Sequence, residues 1–451
     1  MNAAIQERLD RLYRDVYTVC GSLAATAFPT EEPVLFSERE KNGEGGMTLR
    51  PGDRWGRGGS CAWIRLEGTA PEAPEGFEAA ILLDAGGEAC LFDENGNPLK
   101  GFTNVQSEFT VALGKPAKRV WFFPPEWCRK DLLLWADAGA NDLFGWKPEN
   151  GLFIQADFAL FDSRKRALYY DLETLASYLE AIGEKDADGI FGRAEALWSD
   201  PEECASFVRS VLSGGNTDGN FVAALGHAHL DLAWLWPIRE TKRKAVRTLS
   251  TVVSHMARYP DYRFCVSQPQ MLSWVKESQP GLYEEIRRLH REGRVETVGG
   301  SWVEMDTNLP DGESLVRQMI YGQRFWKEEF GTPSGILWLP DTFGYSAQLP
   351  QLLKKAGMTY FLTTKLSWNA VNKFPYASFF WEGLDGTKVL THIPPEGNYN
   401  SAARPDSVKK AEAAPCSMML FGIGDGGGGP GMEHLERLAR EKDLPGMPSV
   451  R

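Results

Sequence analysis

A chain of 451 residues is longer than one ordinary hydrophobic core supports, so two or three domains are expected. The formal charge of −12 at pH 7 excludes the broad basic footprint that nucleic acid requires, and no apolar run is long enough to cross a membrane. The 43% hydrophobic and 24% charged fractions are those of a globular protein, whereas the fifteen tryptophans are many and hint at sugar stacking.

Residues 1 to about 25, beginning "MNAAIQERLDRLYRDVYTVCG", are amphipathic and charged and predict a helix without the apolar centre of a secretion signal. Seven cysteines are scattered and show no CxxC spacing, which predicts free thiols, a cytoplasmic location and no thiolate metal site. From about residue 30 to 160 short apolar runs such as "CAWIRLEGTA", "FEAAILLDAGG", "EACLFDENGNPLKG", "SEFTVAL", "RVWFFPPEW" and "LFIQADFALF" alternate with turn residues. That texture predicts an antiparallel β-sandwich, either a sugar-binding module or a structural appendage. Residues 161–217 carry helical spacing in "SRKRALYYDLETLASYLEAIG" and "AEALWSDPEECASFVRSVL" and read as a helical linker.

Beyond residue 218 strands and helices alternate. The strands are "FVAALGHAH", "YRFCVSQ", "VETVGGSW", "GILWLPD", "YFLTTK", "KVLTHIPP" and "MMLFGIGDG", with helices over 239–258, 270–291, 311–329 and 347–356 between them. This pattern predicts a parallel sheet, doubly wound or closed into a barrel, with chemistry at the carboxyl ends of its strands. The residues found there are His227, His229, Asp231, Trp302, Glu304, Asp306, Asp341, Lys365, His392 and Asp425.

In "GHAHLDLAWLWP" (226–237) an extended backbone puts His227, His229 and Asp231 on one side. Two imidazoles and a carboxylate are potential ligands for one divalent ion, and zinc suits them. Asp341, in "WLPDTFGYSAQLPQLL", is either a helix N-cap or a carboxylate facing that metal. In "FGIGDGGGGP" the glycines allow a tight turn or a close backbone approach, and the Lys-Ser/Thr ending of a nucleotide-binding loop is missing. Asp425 there either caps the turn or faces the pocket.

Residues 219–430 resemble the catalytic domain of glycoside hydrolase family 38, the retaining zinc α-mannosidases, and most closely its cytosolic and bacterial branch. The blocks "GHAHLDLAWLWP", "VGGSWVEMDTNLPDGESLVRQ", "GILWLPDTFGYSAQLPQLLKKAG", "FLTTKLSW" and "FGIGDGGGGP" occur in that family's order. The resemblance implies an α/β fold: an incomplete, seven-stranded, barrel-like (β/α) catalytic domain over 218–451, preceded by the sandwich over 1–160. It implies one zinc ion held by His229, Asp231 and Asp341, with His227 a neighbour, and Asp341 also the nucleophile of a two-step hydrolysis of terminal α-linked mannose. Asp425 falls in the block nearest the family's general acid, and Trp234, Trp302, Asp306, Lys365 and Tyr399 are expected to line the sugar pocket. A mannose-containing oligosaccharide is the expected partner, nucleic acid and membrane are not, and a homo-oligomer is compatible with the sequence.

The family's zinc has a further histidine ligand beyond the glycine-rich block, and His434 follows that block too soon to supply it. The chain is therefore expected to be an N-terminal fragment without the following helical bundle and β domains. Two alternatives stay open: an inactive or carbohydrate-binding remnant, and a zinc deacetylase or amidohydrolase in which Asp341 is a base.

Overall fold

A computed structural model describes residues 3–40, 46–103, 119–145, 150–215, 219–411 and 416–451. The amphipathic N-terminus forms α1 (Ala3–Tyr13), which buries Ile5, Leu9 and Leu12. The helix expected to reach about residue 25 is corrected here: Tyr17 to Ser22 pair antiparallel with Phe161 to Asp157 as a strand. A Tyr-Thr-Val run favours extended backbone once a partner edge exists.

The strands of the first domain are β1 (Tyr17–Ser22), β2 (Ala24–Thr30), β3 (Met47–Leu49), β4 (Arg54–Arg57), β5 (Cys61–Thr69), β6 (Phe77–Asp84), β7 (Glu88–Phe92), β8 (Pro98–Thr103), β9 (Val120–Phe122), β10 (Asp131–Gly139), β11 (Asn150–Leu152) and β12 (Gln155–Asp162). They form the antiparallel sheets β1-β12-β6-β9 and β3-β2-β5-β10-β7-β8, with β4 and β11 paired separately. Side-chain alternation makes this a sandwich: Ile81 and Leu83 of β6 share a core with Ile64 and Leu66 of β5 and Leu134 of β10. Ala80 and Leu82 point the other way and join the core of the rest of the chain. The expected strand "SEFTVAL" lies outside the described residues.

The connecting region is helical: α2 (Ser163–Ile182), α3 (Ala187–Ala196) and α4 (Pro201–Leu212). Asp162 starts α2 by accepting the N–H groups of Arg164 and Lys165, and Gly183 ends it at φ 71°.

Then come β13 (Phe221–Gly226), α5 (Ile238–Arg258), β14 (Phe264–Val266), α6 (Pro269–Ser278), α7 (Pro280–Arg291), β15 (Val295–Thr297), α8 (Gly312–Phe325), β16 (Ile336–Trp338), α9 (Leu349–Lys355), β17 (Tyr360–Leu362), β18 (Ser378–Glu382), β19 (Lys388–His392), α10 (Pro405–Lys410), β20 (Cys416–Phe421), α11 (Met432–Arg440) and β21 (Ser449–Val450). The single helix expected over 270–291 is two, because Pro280 disfavours helical backbone at Gln279, whose φ is −140°.

All seven expected strands exist, but in two sheets: β15-β14-β13-β20, with β21 beside β13, and β16-β17-β19-β18. The mixed α/β character is as expected, and no closed barrel forms among the described residues. β18 runs antiparallel along the free edge of β19, and the four strands β14 to β17 are only three residues long. The sheets approach where Gly300 N–H donates to the Ile336 carbonyl at 2.9 Å, and Ser401 bridges to Phe421. Their carboxyl ends face one region.

α5 lies between this module and the sandwich. Its Arg243 pairs with Asp137 of β10, and its Lys244 and Arg247 pair with Glu88 of β7. Glu240 of the same helix neutralises Arg243 and Arg247, so a buried seam of alternating charge joins the two domains. Cys20, Cys61, Cys90, Cys128, Cys204 and Cys265 are free thiols, and no helix among the described residues is long and apolar enough to cross a membrane.

Candidate metal centre

β13 ends at Gly226 and releases the chain into the segment that carries His227, His229 and Asp231. Only the last two reach the centre. His227 is 1% exposed, and its Nε2 accepts the indole N–H of Trp338 at 3.2 Å. Burial, with His229 beside it, pushes its pKa down to about 3, so it sits in the wall as a neutral ring.

His229, Asp231, Asp341 and Asp425 offer ligand atoms that all lie within 4.8 Å of one another. His229 Nε2 is 3.5 Å from Asp231 Oδ1 and 3.6 Å from Asp341 Oδ2, and it is buried without a hydrogen-bond partner. Its Nδ1–H donates to Glu304 Oε2 at 2.6 Å, which fixes the tautomer that presents the Nε2 lone pair to the two carboxylates. One imidazole nitrogen and three carboxylate oxygens around an orphaned donor atom fit a divalent ion of zinc character. Burial opposes charge on His229, yet the carboxylates of Glu304 and Asp231 hold its pKa well above the usual range. Without a metal, a proton takes the cation's place.

Asp341 follows β16 and does not cap α9, whose N-cap is Gln348. Its Oδ1 accepts the Tyr399 hydroxyl at 2.7 Å and pairs with the Lys365 ammonium. Lys365 is 9% exposed, and its ammonium lies 3.6 Å from the ring centre of Trp368 and 4.2 Å from that of Phe343.

Tyr399 also reaches Asp425, at 2.5 Å. A phenol has one proton, so two ionised carboxylates cannot both accept it. Burial raises the Asp425 carboxyl above its usual range, the Tyr399 hydrogen bond works against this, and the charges of Asp341 and Asp231 add to it. The surroundings of Asp425 therefore favour its acid form more than those of an exposed carboxylate would.

Asp425 adopts φ 62°, a left-handed conformation that costs a non-glycine residue roughly 1–3 kcal/mol. Its neighbours hold it there. Asp231 N–H donates to its carbonyl at 3.2 Å, a Cβ on Gly424 would meet the Tyr399 ring at 2.8 Å, and one on Gly426 would lie 1.7 Å from the Leu143 carbonyl of the sandwich. Gly426 thus serves close backbone packing between domains. Lys244 links the two segments by donating to the Leu143 carbonyl at 2.7 Å and to the Gly426 carbonyl at 3.4 Å.

Of the residues expected to line a sugar pocket, Lys365 and Tyr399 touch the centre. Trp234, 45% exposed, stands three residues beyond Asp231 with its ring edge-on to Trp236. Trp302 donates to Gln270 at 3.1 Å, and Asp306 is exposed and accepts the N–H groups of Asn308 and Leu309 as a turn residue. His392 pairs with Ser378 away from the centre. His434 accepts Gly431 N–H at the start of α11, also away from it.

Glu304 is the residue whose role the sequence did not reveal. Ser267 donates to its second oxygen at 2.6 Å, and its N–H donates to Gln268 at 3.1 Å, so β14 aligns it. The available signal was its position at a strand end.

Residues 220–451 match the family model described as the glycosyl hydrolases family 38 N-terminal domain. Residues 22–174 match the one described as the alpha-mannosidase jelly roll domain. The chain is 38% identical to human Alpha-mannosidase 2C1, over 96% of this chain and 43% of the relative. It is 32% identical to an Alpha-mannosidase of Saccharomyces cerevisiae, over 92% and 42%, and 49% identical to Alpha-mannosidase G of Dictyostelium discoideum, over 51% and 22%. A solved alpha-mannosidase from Enterococcus faecalis V583 aligns at 20% identity with a TM-score of 0.41, covering 49% of this chain and 26% of that one. The chain spans under half the length of these relatives.

Proposed function

The chain belongs to glycoside hydrolase family 38, and from that premise we propose that the module over 218–451 hydrolyses terminal α-linked mannose from oligosaccharides with net retention at the anomeric carbon. The observation that carries the reading is the pair of carboxyl groups on one phenol oxygen: Asp341 Oδ1 and Asp425 Oδ1 lie 2.7 and 2.5 Å from the Tyr399 hydroxyl oxygen. Carboxyl groups this close suit a retaining glycosidase, where they stand about 5–5.5 Å apart, and leave no room for the intervening water of an inverting one.

His229, Asp231 and Asp341 would hold one zinc ion, with Asp425 also within reach. When bound, the ion supplies positive charge that orients adjacent sugar hydroxyls and favours carboxylate over carboxylic acid at the centre. The Asp341 carboxylate, with Oδ1 on Lys365 and Tyr399 and Oδ2 towards His229, attacks the anomeric carbon. Asp425, whose carboxyl burial raises above its usual range, would act as the acid that gives a proton to the leaving oxygen as a mannosyl ester of Asp341 forms. In the second step Asp425 takes a proton from water, and the water oxygen displaces Asp341. Lys365 balances the Asp341 charge throughout. Trp234, the exposed aromatic of the "HAHLD" segment, is positioned to stack on the sugar.

The experiment is hydrolysis of an aryl α-mannoside by the zinc-loaded chain, with the anomer of the first-formed mannose read by NMR. Retention, with activity lost in Asp341→Asn, supports the reading. Turnover unchanged in that variant overturns it. Acetate release from an acetylated sugar without glycoside cleavage would favour a deacetylase.

A further inference from the structure

A cavity of about 620 Å³ opens beside the centre, on the other side of Lys365 from Asp341. Its floor is the face of the β17-β19-β18 sheet. Phe361, Thr391 and Phe379 stand in one cross-strand row there, and Trp381 follows two residues along β18. Tyr345 stands edge-on to Phe361 at 5.0 Å and closes one wall, while Phe343 and Trp368 flank the mouth. Among these rings lies one polar group with nothing to bond to: the Thr391 hydroxyl, buried without a partner in a residue 1% exposed. A buried hydroxyl left unpaired is unfavourable, and a ligand hydroxyl would relieve it.

We propose that this cavity is a subsite for the sugar units on the leaving-group side of the scissile bond, with Thr391 bonding a ring hydroxyl and Phe379 and Trp381 packing on pyranose faces. The proposal rests on the mannosidase reading above. If a terminal sugar occupies the metal centre, the rest of the oligosaccharide extends only from its leaving oxygen. Lys365 joins the two spaces, contacting the Asp341 carboxylate and lining the cavity mouth beside Trp368. The volume is within the ~300–1,000 Å³ usual for small-molecule sites, and apolar rings with a few fixed polar groups are how such sites hold a polar ligand. Thr363 and Asn369 add polar groups to the lining.

The test is calorimetric titration of the zinc-loaded chain with methyl α-mannoside and with a linear α-mannotriose. The trisaccharide is expected to bind about tenfold tighter. Thr391→Val, which keeps the shape, and Trp381→Leu are each expected to remove that gap while binding of the mannoside is unchanged. Equal affinities in the unaltered chain, or a gap that survives both substitutions, overturn the subsite alone. Binding of neither sugar overturns the subsite and the mannosidase reading together.

Discussion

His229 Nδ1 and Glu304 Oε2 are 2.6 Å apart, both side chains are 4% exposed, and this contact leaves His229 Nε2 as the unpaired donor of the centre. Glu304 therefore orients the imidazole that would hold the ion. Removing a carboxylate that orients a metal-binding imidazole weakens metal affinity about 10- to 100-fold. Glu304→Ala is expected to do so in a chelator competition, and Glu304→Gln to fall between, because an amide still accepts the Nδ1 proton. Affinity unchanged in Glu304→Ala would remove the positioning role.

Tyr399 spans the two carboxylates with one hydroxyl. Tyr399→Phe keeps the ring and takes away the proton they share. A fall of about 10- to 100-fold in kcat is expected, with KM little altered and the alkaline limb of the pH profile displaced. A change in KM alone would mean that Tyr399 only binds substrate.

The pH dependence of stability on the acid side has a specific source in His227. Its folded pKa is depressed to about 3 by burial, so between that value and its unfolded pKa of about 6.5 the unfolded chain binds the extra proton. Stability contributed by the neutral ring is thus present above about pH 6.5 and lost as pH falls toward 3, by a few kcal/mol in all. His227→Gln retains an acceptor for Trp338 and has no ring to protonate. Denaturant unfolding between pH 6.5 and 4 is expected to show a shallower loss in the variant, by about one proton. Equal slopes would contradict the assignment.

Much of the catalytic module was legible because its signals are local. Seven apolar runs became seven strands, and the strand-end positions of His229, Asp231, Asp341 and Asp425 proved to be one cluster. What escaped depends on partners distant in the chain. Residues 17–22 looked helical until β12 supplied an edge. Spacing alone did not separate His227 from His229, which the family resemblance did, and the physical cause is the indole of Trp338. The glycine run allowed either a tight turn or a close backbone approach, and the approach at Gly426 is made by the Leu143 carbonyl of another domain. The strand pattern left a doubly wound sheet or a barrel open, and it says nothing of β18 on the edge of β19.

The seam along α5 makes the sandwich integral to the module. Lys244 is fully buried with its ammonium on Glu88 at 2.5 Å, and Arg247 meets the same carboxylate at 3.1 Å. Lys244→Met leaves Glu88 underpaired in a low-dielectric interior and is expected to cost ~3 kcal/mol. Glu88→Gln in the same chain is expected to recover part of the loss, since partners in one network couple. Additive losses in chemical denaturation would show that the two residues do not act together.

The central claim is that Asp341 is the nucleophile, and its most direct test is to trap the ester. A mannosyl donor with a good leaving group and a fluorine beside the anomeric carbon slows the second step more than the first, so the intermediate accumulates. Digestion of the zinc-loaded chain and mass spectrometry are expected to find one added fluoromannosyl mass, on Asp341, absent from Asp341→Asn. The same mass on Asp425, or steady turnover of the donor with no adduct on Asp341, would contradict the account.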